Sequence, residues 1–236
     1  MSISENIAVV RERIERAARR AGRPSQEIAL MAVSKMHPPE KIREAYDAGH
    51  RLFGENRVQE FSSKFDALRN LRDAEWHMIG HLQTNKAAKT AELFRAVDSV
   101  DSLKLAEKLD AAARNLGKKL DILIEINVGG EAAKSGVAPD SPELEALLLA
   151  ASRFEALGFR GLMTVPPFTE DPEGARRYFR KLRVLRDTIA SRNLPAIAMN
   201  QLSLSMGMSH DFEVAIEEGS TCVRVGTAIF GERTKR

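Results

Sequence analysis

Apolar residues alternate along the chain between two rhythms. Short runs with little polar interruption occur at 28–34 (IALMAVS), 50–55 (HRLFGE), 76–80 (WHMIG), 94–100 (FRAVDSV), 120–128 (LDILIEINV), 159–165 (FRGLMTV), 196–204 (AIAMNQLSL) and 221–230 (TCVRVGTAIF). Their length and content predict eight strands. Between them lie segments rich in Ala, Leu, Glu, Lys and Arg, such as SLKLAEKLDAAARNLG and PELEALLLAASRFEALG, each closing at a glycine suited to the C′ position of a helix. Ser2 and Glu5 have capping-box spacing, and Ile7, Val10, Ile14 and Ala17 recur on one face, which predicts an amphipathic helix that opens the chain and stops at Gly22.

Strands this apolar on both faces belong in a parallel sheet covered by helices. Eight strand-plus-helix repeats in 236 residues match an α/β fold of the (β/α)8 TIM-barrel type, for which about 250 residues is typical, with the N-terminal helix as an addition. An open doubly wound sheet is the rival, but it usually carries a GxGxxG turn after its first strand, and Ser34-Lys35-Met36-His37-Pro38 is unlike one. No linker or composition shift divides the chain, so 1–236 is expected to form a single domain. The longest irregular stretch, 127–141 (NVGGEAAKSGVAPDS), is expected to be a loop over a site.

Composition narrows the function classes. Hydrophobic residues at 43% and charged residues at 29% are ordinary for a globular protein. The net charge of +3 comes from 36 basic and 33 acidic residues that are interspersed, and with one Trp and two Tyr no basic run is interleaved with stacking residues, so nucleic-acid binding gains no support. No apolar stretch approaches the roughly 20 residues of a membrane span, and acids alternate with arginines where a signal peptide would be apolar. The lone Cys222 cannot form an internal disulfide and reads as a buried small hydrophobe, which fits a reducing compartment; the cytoplasm is the expected location. No strongly apolar stretch is left over once the barrel is assembled, so a monomer is expected.

In such barrels the chemistry sits at the C-terminal ends of the strands. Those ends supply Lys35; Glu55 and Asn56; His77 and His81; Asp98 and Asp101; Glu125 and Asn127; Met163 and Thr164; Ser203 and Ser205; and Arg224, Gly226 and Thr227. Most of these suit a merely wet barrel mouth. Lys35 stands apart because six apolar residues precede it: in a partly dry mouth its pKa would fall, and a neutral amine can attack a carbonyl to form a Schiff base. The alternative is a lysine that snorkels to solvent.

The last two strands carry a second signal, since phosphate sites in these barrels often form from the loops after strands seven and eight. LSLSMGMSHDFEVAIEEG offers Ser205, Gly207, and Ser209 or Asp211 as a helix cap, and VRVGTAIFG adds Gly226 and Thr227. A Schiff-base lysine facing a phosphate cup describes a pocket for a small phosphorylated aldehyde, with pyridoxal 5′-phosphate (PLP) the leading candidate and a sugar phosphate on a lysine aldolase the alternative. Arg224 could face the pyridine nitrogen and, unable to give up its proton, keep that nitrogen unprotonated. His77 and His81 are four apart, but the intervening Met78-Ile79-Gly80 places them across a strand end, against a metal pair. Lys134 reads as a solvated lysine before a second reactive amine.

AVSK around Lys35, FGENRVQE (53–60), WHMIGHLQTNK (76–86), EAAKSG (131–136), GLM (161–163), LSMGMSHD (204–211) and VRVGTAIFG (223–231) together closely resemble the pyridoxal phosphate homeostasis proteins from the first strand to the last. The resemblance implies one barrel similar to that of alanine racemase, with PLP held by Lys35 as an internal aldimine. It further implies that Asn56 approaches the cofactor, that Ser205, Gly226 and Thr227 take the phosphate, and that Arg224 faces the pyridine nitrogen. Met36-His37 stands where many relatives have Thr-Lys, which removes a neighbouring second amine.

The implied role is to bind, buffer or carry PLP within vitamin B6 and amino-acid homeostasis, with transient contact to PLP-dependent apo-enzymes, rather than to act as an enzyme. A low-activity racemase or lyase is the alternative. Racemisation needs an acid–base group on each face of the substrate carbon, and in the alanine racemase arrangement the second is a tyrosine from an extra β domain. That domain is expected to be missing here, with Tyr46 and Tyr178 on outer helices, and the cofactor's face is expected to be open to water and to other proteins.

Overall fold

The computed structural model describes residues 1–131, 134–192, 194 and 202–232. Eight parallel strands, β1 (Ala29–Val33), β2 (Leu52–Glu55), β3 (Glu75–Met78), β4 (Ala96–Val100), β5 (Leu120–Glu125), β6 (Leu157–Met163), β7 (Ser203–Met208) and β8 (Cys222–Val225), close into a barrel in chain order. β1 completes the ring against β8, with Met31 opposite Arg224. Outside lie α1 (Ile3–Arg20), α2 (Pro39–Asp47), α3 (Val58–Leu68), α4 (Ala87–Leu93), α5 (Leu103–Asn115), α6 (Pro142–Ala150), α7 (Arg176–Ser191), α8 (Phe212–Glu217) and α9 (Thr227–Phe230). The helices bury their apolar stripes on the barrel. Phe61 of α3, for instance, sits with its ring centroid 4.7 Å from Trp76 of β3 and 4.9 Å from Phe94, and such clusters supply the dominant hydrophobic stabilisation.

The expected capping box is present, with Ser2 accepting from the Glu5 N–H and Glu5 accepting from the Ser2 N–H. The position of α1 explains why the chain needs this helix. The segment after β8 forms only the four-residue α9, too short to cover its share of the barrel, and α1 packs across α2, α8 and α9 in its place. Asn6 Nδ2 donates to the Ile229 carbonyl at 2.8 Å, while Arg13 and Arg20 pair with Glu213 and Glu217 of α8.

Three boundaries differ from the sequence reading. β7 was expected over 196–204; of that span 196–201 lie outside the described residues, and the strand runs on to Met208. TCVRVGTAIF was expected as one strand, yet β8 stops at Val225 and Thr227–Phe230 is helical, because an apolar run cannot by itself distinguish a strand from a buried helical turn. Gly158, expected to close the helix before it, lies inside β6; α6 ends at Ala150 and a 3-10 turn continues to Arg153. Gly161 has φ +151°, and a Cβ there would collide with the backbone of Ser203, so only glycine permits β6 and β7 this close.

Candidate functional site

At the C-terminal ends of the strands a cleft of about 320 Å³ opens between β1, β8 and the turns after β2, β3 and β7. Lys35, Asn56, Arg224, Gly226 and Thr227 all line it, so five of the six residues singled out in the sequence meet there. Val33, Ile79 and Val165 give the cleft apolar walls.

Lys35 emerges from a tight turn. The apolar run of β1 ends at Val33, and the His37 N–H then donates to the Ser34 carbonyl at 3.1 Å. Within that turn Met36 sits at φ +63°, the one non-glycine residue with positive φ among those described. A left-handed conformation costs an L-residue about 1–2 kcal/mol, and it persists only where surrounding bonds over-determine it.

Those bonds come from α3 and the end of β2. Glu60 Oε1 accepts from the Met36 N–H at 2.5 Å. Lys64 Nζ donates to the Ser34 and His37 carbonyls at 3.3 Å and pairs with Glu55 at 2.8 Å and Glu60 at 3.0 Å. Ser34 Oγ also donates to Glu55 Oε1, at 2.7 Å. Burial pushes the Glu55 carboxyl above the usual range against the pull of Lys64. Glu60, half-buried, is nonetheless held below that range by the Met36 N–H and Lys64.

Arg224 forms the inner wall. Only 3% exposed, it donates from Nη1 to the Ser205 carbonyl at 2.5 Å and Ser205 Oγ at 2.9 Å, and from Nη2 to the Thr164 carbonyl at 2.7 Å. Three of the five N–H donors of a guanidinium are thus used, all on neutral oxygens, and among the described residues no carboxylate lies in ion-pair contact with it. Burial draws its pKa down, while Cys222, Asp98, Glu125 and Asp211 at longer range favour the charged form.

Ser205 therefore does not stand where it was expected. It is a fully buried residue of β7 held beneath Arg224, since the alternation Ser203-Leu204-Ser205-Met206-Gly207 is a strand pattern where serine and glycine had suggested a loop. The serine on the cleft wall is Ser209, whose Oγ lies 3.4 Å from the Ala228 N–H at the start of α9. Gly207, at φ +92°, lets β7 bend there; a Cβ would meet Ala215 Cβ at 2.6 Å.

Two further groups were not singled out by the sequence. His37 stacks on Phe230 with centroids 5.0 Å apart, and His210 lies within 3.1 Å of the Thr169 and Glu170 carbonyls; both face the cleft. Glu125, at the end of β5, is 7% exposed and its Oε2 has no hydrogen-bond partner among the described residues. Burial, with Asp101 adding to it, raises its pKa to about 7. Asn56 Oδ1 is likewise buried without a partner.

His77, Asp98 and Ser203 were read as members of the same rim, but they face a cavity of about 480 Å³ at the opposite, N-terminal end of the barrel. There His77 Nδ1 meets Asp98 Oδ1 at 3.0 Å, and Asp121 joins Arg95 at 3.1 Å and Arg160 at 2.9 Å. Burial opposes charge on His77, yet Asp98 carries its pKa above the ordinary value. His81 stays at the upper end with Asp101, 3.1 Å away, so the two histidines are drawn to opposite ends. Cys222, the first residue of β8, lines the same N-terminal cavity, its thiol pushed up to about 12 by burial and Asp98. The described part of 127–141 folds on itself through Asn127 and an Ile126–Val137 bridge and supplies no residue to the cleft; Lys134 pairs with Glu131 at 3.2 Å.

Comparison with known proteins gives the same architecture a family. Residues 6–234 match the model of the alanine racemase N-terminal domain. The pyridoxal phosphate homeostasis protein of Aquifex aeolicus is 48% identical, covering 99% of this chain and 99% of its own, and that of Escherichia coli K12 is 42% identical over 98% and 97%. Among solved structures, PipY of Synechococcus elongatus with PLP bound has a TM-score of 0.83 at 37% identity, covering 98% of this chain and all of that one. Alanine racemase of Clostridium difficile shares the fold alone, at 16% identity and a TM-score of 0.70, with the match confined to 57% of its length. The chain belongs to the alanine racemase N-terminal domain family and, within it, to the pyridoxal phosphate homeostasis proteins.

Proposed function

We propose that the cleft binds pyridoxal 5′-phosphate and that the protein buffers or carries this cofactor. The observation that carries the reading is the pairing, on adjacent strands β1 and β8, of an amine at Lys35 with the buried guanidinium of Arg224, whose contacts are all neutral. A cation so desolvated costs free energy unless partnered, and an electron-rich ligand in the cleft offsets that cost. Gly226, Thr227 and Ser209 offer backbone and hydroxyl groups at the β7–β8 end for a phosphate, with Ser205 acting through Arg224. The partnerless Asn56 Oδ1 accepts a donor from the bound molecule. The volume lies at the small end of ligand pockets, as a cofactor of one ring and one phosphate needs. The solved relative with PLP bound supports the same reading.

Bound there, PLP supplies an electrophilic aldehyde carbon and an electron-withdrawing ring. Lys35 contributes the amine that bonds the aldehyde. Arg224, keeping its own proton, would leave the ring nitrogen of a bound cofactor unprotonated and so weaken the ring as an electron sink. His37 and His210 are engaged with Phe230 and with backbone carbonyls, and neither tyrosine lines the cleft: Tyr46 donates to Asp73 on the outer surface and Tyr178 accepts from Arg177. A second acid–base group on the opposite face of a substrate carbon is therefore not supplied by tyrosine, which favours a carrier over a racemase or lyase. In this reading the protein works in the cytoplasm as a monomer and meets PLP-dependent apo-enzymes transiently.

Purified protein titrated with PLP should develop the absorption band of a conjugated imine, which the Lys35→Ala variant lacks. Incubation of the loaded protein with single L-amino acids should yield no sustained formation of D-amino acid. Lys35-dependent turnover would overturn the carrier assignment while leaving the binding site intact.

A further inference from the structure

We infer that Lys64 and Glu60, neither of which lines the cleft, are positioning residues that hold the Lys35 turn in its binding-competent shape. This rests on the reading of Lys35 as the amine that bonds the cofactor. The geometry is specific to that turn. The residues from Ser34 to His37 carry the left-handed Met36, and one helix face reaches three backbone groups of that turn. Glu60 takes the central N–H at 2.5 Å, and Lys64, one helical turn on, bridges the two flanking carbonyls at 3.3 Å each.

The remaining bonds of the cluster serve the same end. Lys64 is 7% exposed and is stabilised by both Glu55 and Glu60, while Glu55 also fixes the Ser34 hydroxyl. A lysine buried merely to fill space would not need acceptors on both sides of a strained residue. The strain at Met36 supplies the reason: without the clamp the turn falls back to an ordinary conformation and redirects the side chain that precedes it. If the competent fraction of the turn drops to about a tenth, apparent affinity falls about tenfold.

Three variants and two readouts decide the matter. Lys64→Met keeps the stem and removes the donors; Glu60→Ala, at a partly exposed position, covers the case in which the first does not fold; Met36→Gly removes the conformational strain itself. The first readout is PLP affinity by titration of the absorption band. The second needs no cofactor: the rate at which a water-soluble acylating reagent modifies Lys35 in the unloaded protein, followed by peptide mass. Lys64→Met and Glu60→Ala should each weaken PLP binding about tenfold and change Lys35 labelling about threefold or more. Adding Met36→Gly to either should restore most of both, because glycine holds the left-handed conformation without a clamp.

A purely structural Lys64 would lower the melting temperature, leave Lys35 labelling at the wild-type rate and show no rescue by Met36→Gly, and that result would overturn the inference. Should the wild-type protein bind no PLP, the cofactor reading fails, and the labelling and rescue measurements still decide whether the clamp exists.

Discussion

The two ends of the barrel make an instructive pair. The N-terminal cavity is both the larger, about 480 Å³ against 320 Å³, and the more polar. At that end the charges answer one another: His77 meets Asp98, and Asp121 joins Arg95 and Arg160. At the C-terminal end Arg224 touches only neutral oxygens, Asn56 Oδ1 and Glu125 Oε2 lack partners among the described residues, and Met36 is held in a strained conformation. Size and polarity therefore do not mark the candidate site; unmet bonding capacity does.

That contrast is broken or sharpened most strongly at Arg224. Arg224→Met removes three donors from the buried Ser205 and Thr164 oxygens, of which the Ser205 carbonyl keeps the Thr164 N–H at 3.2 Å, and should cost about 2–4 kcal/mol of stability, measured by urea unfolding. It should also abolish measurable PLP binding, since the cleft loses its only buried cation among the residues lining it. Retention of wild-type affinity would show that the cofactor does not use this wall.

Glu125 tests the same end through pH. Its folded-state pKa of about 7 lies above the unfolded value near 4.3, so between them the folded chain binds more protons and stability declines as pH rises. The contribution is fully present below about pH 4 and lost through pH 7, about 3–4 kcal/mol in all. Glu125→Gln should flatten the fall in unfolding free energy between about pH 5 and about pH 8; an unchanged slope would place the titration elsewhere.

His77 gives the corresponding test at the other end, with a smaller effect. Asp98 raises its pKa, so its stabilising contribution is complete below the unfolded value and disappears as pH rises through the folded one. His77→Gln should remove that share while leaving PLP affinity unchanged. A loss of affinity would show that the two cavities communicate along the lumen, through Asp98, Cys222 and Arg224. The smallest effect belongs to Arg160, whose side chain is 55% exposed: Arg160→Ala should cost less than about 1 kcal/mol by the same unfolding assay, the scale of a solvated ion pair.

Much of this architecture was legible because it is local. Six apolar residues ahead of Lys35, a capping box at Ser2, and glycines after apolar runs state their consequences within a few positions. The mouth residues Lys35, Asn56, Arg224, Gly226 and Thr227 followed from one rule about barrel ends. What was not legible depends on orientation. His77 and Asp98 are polar residues near strand ends, yet which end of the lumen they face is set by the stagger of the barrel and not by the strand's own sequence. Ser205 and Ser209 lie four positions apart in one segment, and only the end of β7 at Met208 and the bend at Gly207 show that one supports Arg224 while the other lines the cleft. Glu60 and Lys64 have only the i,i+4 spacing of any helical pair; their approach to the 34–37 turn is a tertiary fact.

The central claim is that Lys35 is the residue that bonds the cofactor, and borohydride reduction of the PLP-loaded protein followed by peptide mapping tests it most directly. The account predicts a pyridoxyl-phosphate mass on the peptide containing Lys35 and none on those containing Lys64 or Lys134. Label distributed over other lysines, or an undiminished yield from Lys35→Ala, would contradict it.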